Sequence, residues 1–338
     1  MNLMPLAEAG LALVPIVVFL VALVWLDSFK LVNFKNLVIA IIAGCLATAA
    51  ALVVNSQLMR HTGMDLSTFS RFGAPVTEEI IKFAFVFYLI RARKVGFMVD
   101  AAIFGFAVGT GFAIVENIFY LNSLQDPGLL TWLIRGMGTA VMHGGTTAIA
   151  AIITKDMHDT RTWPSWVKAL PGLLAAILIH GLYNQFILPP LTAMLLILLT
   201  LPPLIYFIFK RSEQHTREWL GQGLDHDVEL LQLIMAGNLS DSRLGNYLES
   251  LMNMFEGPVM ADLLGYLRIY LELSLKAKGI LMMKECGIMP ELDPELQAQL
   301  VELNFLEKSI GITGKLALQP LLKLDDRDIW QLRLLETR

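Results

Sequence analysis

The sequence predicts an all-α protein, a polytopic membrane helix bundle of about seven spans followed by a soluble helical C-terminal domain. Three observations carry this. Of the 338 residues 55% are hydrophobic and only 17% charged, with a mean hydropathy of +0.60, which no ordinary soluble protein shows. The apolar residues fall into seven runs, each about long enough to cross ~30 Å of hydrocarbon as a helix. No stretch keeps up the period-two alternation of a strand.

The runs lie at about 9–26, 36–54, 74–90, 97–120, 130–154, 169–188 and 191–209. The first has no basic segment before it and no small-residue cleavage site, so it is expected to stay as a span rather than leave as a signal peptide. The third is polar at its start, and the seventh carries Pro202-Pro203, which removes backbone donors. Lys30 and Lys35 follow the first run, Arg91, Arg93 and Lys94 the third, Lys155, Arg161 and Lys168 the fifth, and Lys210 and Arg211 the seventh. The loop from Leu121 to Leu129 and the turn at Pro189-Pro190 have no Lys or Arg, and only the loop from Asn55 to Phe72, with Arg60 and Arg71, departs from the pattern. Positive charge thus marks alternate loops as cytoplasmic, placing the amino terminus outside and the carboxyl terminus inside.

Composition changes after Phe209. Residues 210–338 hold 14 Lys+Arg against 20 Asp+Glu, where residues 1–209 hold 12 against 10. The two parts are read as a transmembrane domain, 1–209, and an acidic cytosolic α-helical domain, 210–338. In the latter Pro258 opens a helix with Leu264, Leu267, Leu271 and Leu275 on one stripe and Gly287 as its stop. Asp293-Pro294 has the chemistry of another helix start, and Asp326 or Asp328 of a third. The acidic balance argues against a nucleic-acid partner, and no catalytic pattern is present in this part. Cys45 and Cys286, one in an apolar run and one in the tail, form neither a disulfide framework nor a cysteine zinc site.

The chemistry therefore sits in the spans. Glu78, Glu79 and Lys82 open the third, Glu116 and Asn117 end the fourth, Arg135, His143, Thr146 and Thr147 lie in the fifth, and His180 and Asn184 in the sixth. A carboxylate in hydrocarbon costs a few kcal/mol or more unless paired or solvated. At 1.5 Å per residue Glu78 and Glu79 lie about 6–8 Å below the outer boundary, Glu116 and Asn184 about 6 Å, and the two histidines roughly 12–20 Å. Groups from four helices are thus expected to converge on the outer half of the membrane. Glu79 and Lys82, Phe112 and Glu116, His143 and Thr147, and His180 and Asn184 share helix faces at i, i+3 or i, i+4. Gly105 and Gly109 continue the Phe112–Glu116 stripe and let another helix approach closely.

In order along the chain, Glu78-Glu79-x-x-Lys82, Phe112-x-x-x-Glu116-Asn117, His143 and His180-Gly-x-x-Asn184 resemble the motifs of PrsW-type intramembrane proteases, a branch of the group containing the type II CAAX prenyl endopeptidases and bacterial CPBP proteins. The resemblance covers residues 70–190. CPBP proteins show Glu-Glu-x-x-x-Arg and Phe-x-x-x-His, whereas here Lys82 comes one position earlier and Glu116 replaces the histidine, which favours the PrsW branch. The resemblance implies hydrolysis of a peptide bond in a membrane-anchored protein such as an anti-sigma factor, in a bacterial-type cytoplasmic membrane.

The residues agree with that chemistry. Amide hydrolysis needs an activated water, a base, an acid for the leaving nitrogen and donors for the oxyanion. Glu79, or its neighbour Glu78, is the expected base, Lys82 tunes the pair, His143 and His180 orient water or supply the acid, and Asn184 is an oxyanion donor. A metal version uses His143, His180 and Glu116 as ligands of Zn2+ or another divalent ion, although no His-Glu-x-x-His pair preorganises two ligands on one turn. No Gly-x-Ser-x-Gly or Gly-x-Gly-Asp occurs, which sets serine and aspartyl chemistry aside. Two other classes stay open: a proton-coupled transporter carrying protons on Glu78, Glu79 and Glu116, and a non-catalytic signalling protein whose tail meets a cytosolic partner. The plainer roles are Lys82 as an ion-pair partner of glutamate, Glu116 as a structural partner of Lys82 or a histidine, Thr146 and Thr147 bonding back to their own helix, and Arg135 snorkelling to headgroups.

Overall fold

The computed structural model describes residues 4–125, 127–236, 243–288, 295–322, 330–332 and 335; the Asp293-Pro294 helix start and the Asp326 or Asp328 cap lie outside them. Among the described residues the regular structure is helical throughout. It forms two compact units, Met1–Glu213 and Gln214–Arg338.

The first unit begins with α1 (Met4–Leu26) and α2 (Phe34–Thr62), the latter capped by the Asn33 side chain, which accepts from the Asn36 amide. The loop expected from Asn55 to Phe72 is almost entirely helix. Polar Asn55, Gln57 and Arg60 do not stop a helix. Gly63 does, in the left-handed region at φ 68°, and Asp65 then caps α3 (Leu66–Arg91) through the amides of Ser67 and Thr68. Pro75, inside α3, has no N–H for the carbonyl of Arg71 four residues back. That oxygen instead accepts from the Gln185 side chain at 3.2 Å, and the Ser70 carbonyl accepts from Asn184 at 3.0 Å.

The bundle is built around α4 (Met98–Ser123), which is buried along most of its length. Two glycine seams explain how. A Cβ on Gly109 would meet the His143 carbonyl at 2.4 Å and one on Gly105 that of Thr147 at 2.6 Å, while on another face a Cβ on Gly111 would meet the Ile41 carbonyl at 1.9 Å. Backbone therefore touches backbone between α4 and both α2 and the helix beyond.

That next helix is one span in three parts: α5 (Leu129–Ile134), a π-helical turn (Arg135–Thr139) and α6 (Ala140–Thr160). α7 (Ser165–Asn184) stops four residues before the apolar run ends. α8 (Pro190–Ala236) is one helix of 47 residues that passes Pro202-Pro203 and continues well beyond the compositional break at Phe209. Six of these helices are long and apolar enough to cross a membrane, counting α5 to α6 as one. The run expected as a third span forms the helix α3 but is not one of the six, because it carries Glu78, Glu79 and Lys82.

In the second unit α9 (Arg243–Met252), α10 (Gly257–Glu285) and α11 (Glu295–Leu318) pack around α10. Pro258 lies in its first turn and Gly287, at φ 76°, follows its end. Leu267 and Leu271 are fully buried as the stripe predicts, but Leu264 and Leu275 sit at its margin, because the buried face is centred on Leu263, Leu267, Leu271 and Ala277. Inside this unit Lys278 pairs with Asp227 of α8 at 2.5 Å, Ser274 donates to the same carboxylate at 2.6 Å, and Gln331 donates to Ser274 at 2.8 Å.

Candidate active site

Glu79 is the organising group. Its side chain is shut off from solvent, and one oxygen, Oε1, takes three donors: Lys82 Nζ at 2.6 Å, His180 Nδ1 at 2.8 Å and the Thr146 hydroxyl at 3.1 Å. These come from α3 one turn on, from α7 and from α6, so one oxygen ties three helices together. The other, Oε2, is buried with no hydrogen-bond partner. A buried acceptor left empty calls for an explanation in the site's chemistry.

The contacts fix both imidazoles. Lys82, ion-paired to Glu79, has only N–H groups to offer, so at 3.2 Å His143 Nδ1 accepts, and the ring proton lies on Nε2, which faces Glu116 Oε2 at 3.2 Å. His180 donates from Nδ1 to Glu79, which leaves the lone pair on Nε2, with Glu78 Oε2 at 3.9 Å and the Asn184 amide at 3.3 Å. The two rings meet edge to face at 4.8 Å, and His143 also packs on Phe112 at 5.1 Å. Both histidines are 1% exposed, whereas the Glu78 and Glu116 side chains keep 14% and 23% of their surface, so these two carboxylates form the open edge of the cluster.

All seven residues expected from the sequence, Glu78, Glu79, Lys82, Glu116, His143, His180 and Asn184, meet in this one cluster. Three details differ from expectation. Arg135 does not snorkel: its guanidinium lies 3.3 Å from Glu116, donates to Asn117 at 3.0 Å and stacks 3.7 Å over the Tyr120 ring. Thr147 does bond back to the His143 carbonyl at 3.1 Å, but Thr146 also reaches across to Glu79. Asn184 has its amide turned to His180 and to the Ser70 carbonyl, next to the Arg71 carbonyl that Pro75 leaves without a helix donor.

Asn55 enters unannounced, donating to Glu78 at 3.2 Å from what the sequence reads as a loop. Arg135 was hidden by the π turn. At about 100° per residue an α-helix would put it roughly 80° away from His143 around the axis, and the wider turn between them brings both to the same neighbour, Glu116.

The metal question turns on the donor set. One oxygen of Glu78 and one nitrogen from each of His143 and His180 lie within 4.8 Å of one another. Glu78 thus stands where Glu116 was expected, because the Glu116 carboxylate is drawn toward Arg135 on the other side of His143. Two imidazoles and a carboxylate suit a divalent ion such as zinc, and Glu79 holding His180 by Nδ1 is the support that ligating histidines use. His143 joins such a set by releasing one of its two ring contacts. The residues fit a metal in kind and in spacing.

A family model described as PrsW family intramembrane metalloprotease matches residues 33–209, more than half of the chain. The match runs from the start of α2 into α8 and takes in every residue of the cluster. No curated protein and no solved structure matches.

Proposed function

This chain belongs to the PrsW family of intramembrane metalloproteases, and on that footing we propose that it cuts a peptide bond of a membrane-anchored protein, such as an anti-sigma factor, near the outer face of a bacterial-type cytoplasmic membrane. The amino terminus faces out and the acidic tail lies in the cytoplasm, as the positive charges of the alternate loops argue.

Glu79 is the base. The observation that carries this is its divided carboxylate: three donors hold Oε1 in place, and Oε2 is left as a buried acceptor with no hydrogen-bond partner. Lys82 keeps the group ionised, so that it stands ready to take a proton from the attacking water and pass it to the leaving nitrogen. Glu78, His143 and His180 would hold the divalent ion, which when bound supplies Lewis-acid polarisation of water and of the scissile carbonyl. Glu116 and Arg135 hold the His143 ring from the far side. Asn184, its amide held by the Ser70 carbonyl at 3.0 Å and lying 3.3 Å from His180 Nε2, positions the His180 ring in place of the oxyanion role expected of it.

The test compares the membrane proteomes of cells carrying wild type and Glu79→Gln. The amide keeps the shape and loses the base, so a fragment made by the wild type falls by about 10²–10⁴-fold, the contribution of a positioned base. A Glu79→Gln protein that inserts normally and yields the fragment at wild-type level overturns the proposal.

A further inference from the structure

A second feature of the membrane unit adjoins the cluster. The π turn, α6, α7 and α8 enclose a groove of about 790 Å³, in the range of roughly 300–1,000 Å³ typical of formed ligand sites. Ile134, Leu182, Ala193, Leu196, Ile197 and Leu204 are among its lining. Leu182 is 63% exposed and Leu196 50%, so the groove opens sideways on membrane-spanning helices, toward lipid. Leu201 of α8, part of the lining, is seated directly over Gly145 of α6, whose Cβ would meet the leucine at 2.1 Å.

Apart from Thr200, whose hydroxyl bonds back to the Leu196 carbonyl of its own helix, the polar groups of the lining, Thr131, Arg135, Thr139 and Tyr183, lie on or beside the π turn. Arg135 both lines the groove and pairs with Glu116, the partner of His143. Beside it the Tyr183 hydroxyl meets the Thr139 hydroxyl at 3.3 Å, in room left by Gly138. Tyr183 is next in sequence to Asn184, so adjacent residues of α7 serve the groove on one face and the cluster on the other.

We propose that this groove receives the apolar membrane-embedded segment of the protein substrate next to the scissile bond, with the Thr139–Tyr183 contact as the partition the segment passes to reach Glu79. The inference rests on the function proposed above and deepens it. A polypeptide is favoured over a phospholipid by charge: Glu116 already neutralises Arg135, so the polar end offers no free cation for a phosphate. A helix being cut in a membrane must unwind, and its freed backbone groups then need polar partners at that depth. Thr131, Thr139, Tyr183 and Arg135 supply them at one end, while the rest of the groove takes apolar side chains.

The experiment places a photoreactive benzoylphenylalanine at Leu196 in the full-length Glu79→Gln chain and illuminates it in native membranes. The expected product joins it to the same protein whose fragment is lost in Glu79→Gln membranes, through an apolar residue close to the cut. In the otherwise wild-type chain Ala193→Trp, which fills the groove, raises KM for that protein at least tenfold with little change in kcat, while Leu199→Trp, on a position 73% exposed and outside the lining, changes neither. Crosslinks to phospholipid alone, or no crosslink with Ala193→Trp cutting at the wild-type rate, overturn the groove while leaving Glu79 as base. Absence of any Glu79-dependent fragment overturns the protease reading itself, and the groove assignment with it.

Discussion

Glu78 and Glu79 are neighbours in sequence with opposite situations: Glu79 is clamped through Oε1 by three donors, and Glu78 sits at the partly exposed edge with Asn55 as its hydrogen-bond partner. If Glu78 is a ligand and Glu79 the base, the two separate in a metal measurement that needs no substrate. Purified wild type is expected to carry about one divalent ion per chain; Glu78→Gln and His180→Ala lose it, while Glu79→Gln keeps it and is inactive. Plasma emission spectrometry reads this directly. Equal loss in all three variants would deny the division of roles. The sequence showed which residues gather, since Glu79 and Lys82 share a face by spacing alone and four motifs fall in the outer half of the membrane. It did not show which atom serves whom. That Glu78 and not Glu116 faces both imidazoles depends on how far each helix is rotated about its axis, and Arg135 depends on a π turn that leaves no mark in composition.

Helices meet here through missing side chains. Gly109 lets α4 lie against the backbone of α6 beside His143, so Gly109→Val forces two helices apart where the imidazole is anchored. Overpacking of this kind costs about 1–3 kcal/mol or more. A lower unfolding midpoint in detergent, together with lost activity, is expected. Gly10, whose added Cβ meets nothing within 4 Å, is the control, and Gly10→Ala should leave the midpoint unchanged or slightly raised. Spacing revealed the Gly105–Gly109 seam. The helix ends were less legible: α2 and α3 run through the polar stretch around Asn55 because only Gly63 and Asp65 carry stop and start geometry, and α7 ends at Asn184 because the backbone turns left-handed at Phe186, φ 53°, a residue that gives no such signal.

At the scale of the whole chain, the break in composition at Phe209 falls inside α8 and four residues before the boundary between the two compact units. The acidic unit has its own core and its own buried ion pair, Asp227 with Lys278, at 11% and 3% side-chain exposure. Removing one member leaves a buried charge alone, at a cost of about 3–5 kcal/mol. Lys278→Met is therefore expected to open this unit to limited proteolysis after Glu213, and Asp227→Leu combined with Lys278→Met to restore protection. Resistance of Lys278→Met equal to wild type would show that the pair contributes little.

The triple hold on Glu79 also sets when this enzyme comes into being. Lys82 emerges with it, Thr146 follows two spans later, and His180 arrives only with α7. A nascent chain halted before that point carries an incompletely satisfied carboxylate inside a half-built bundle and has no complete centre, so a ribosome must deliver nearly the entire membrane portion before any cutting begins.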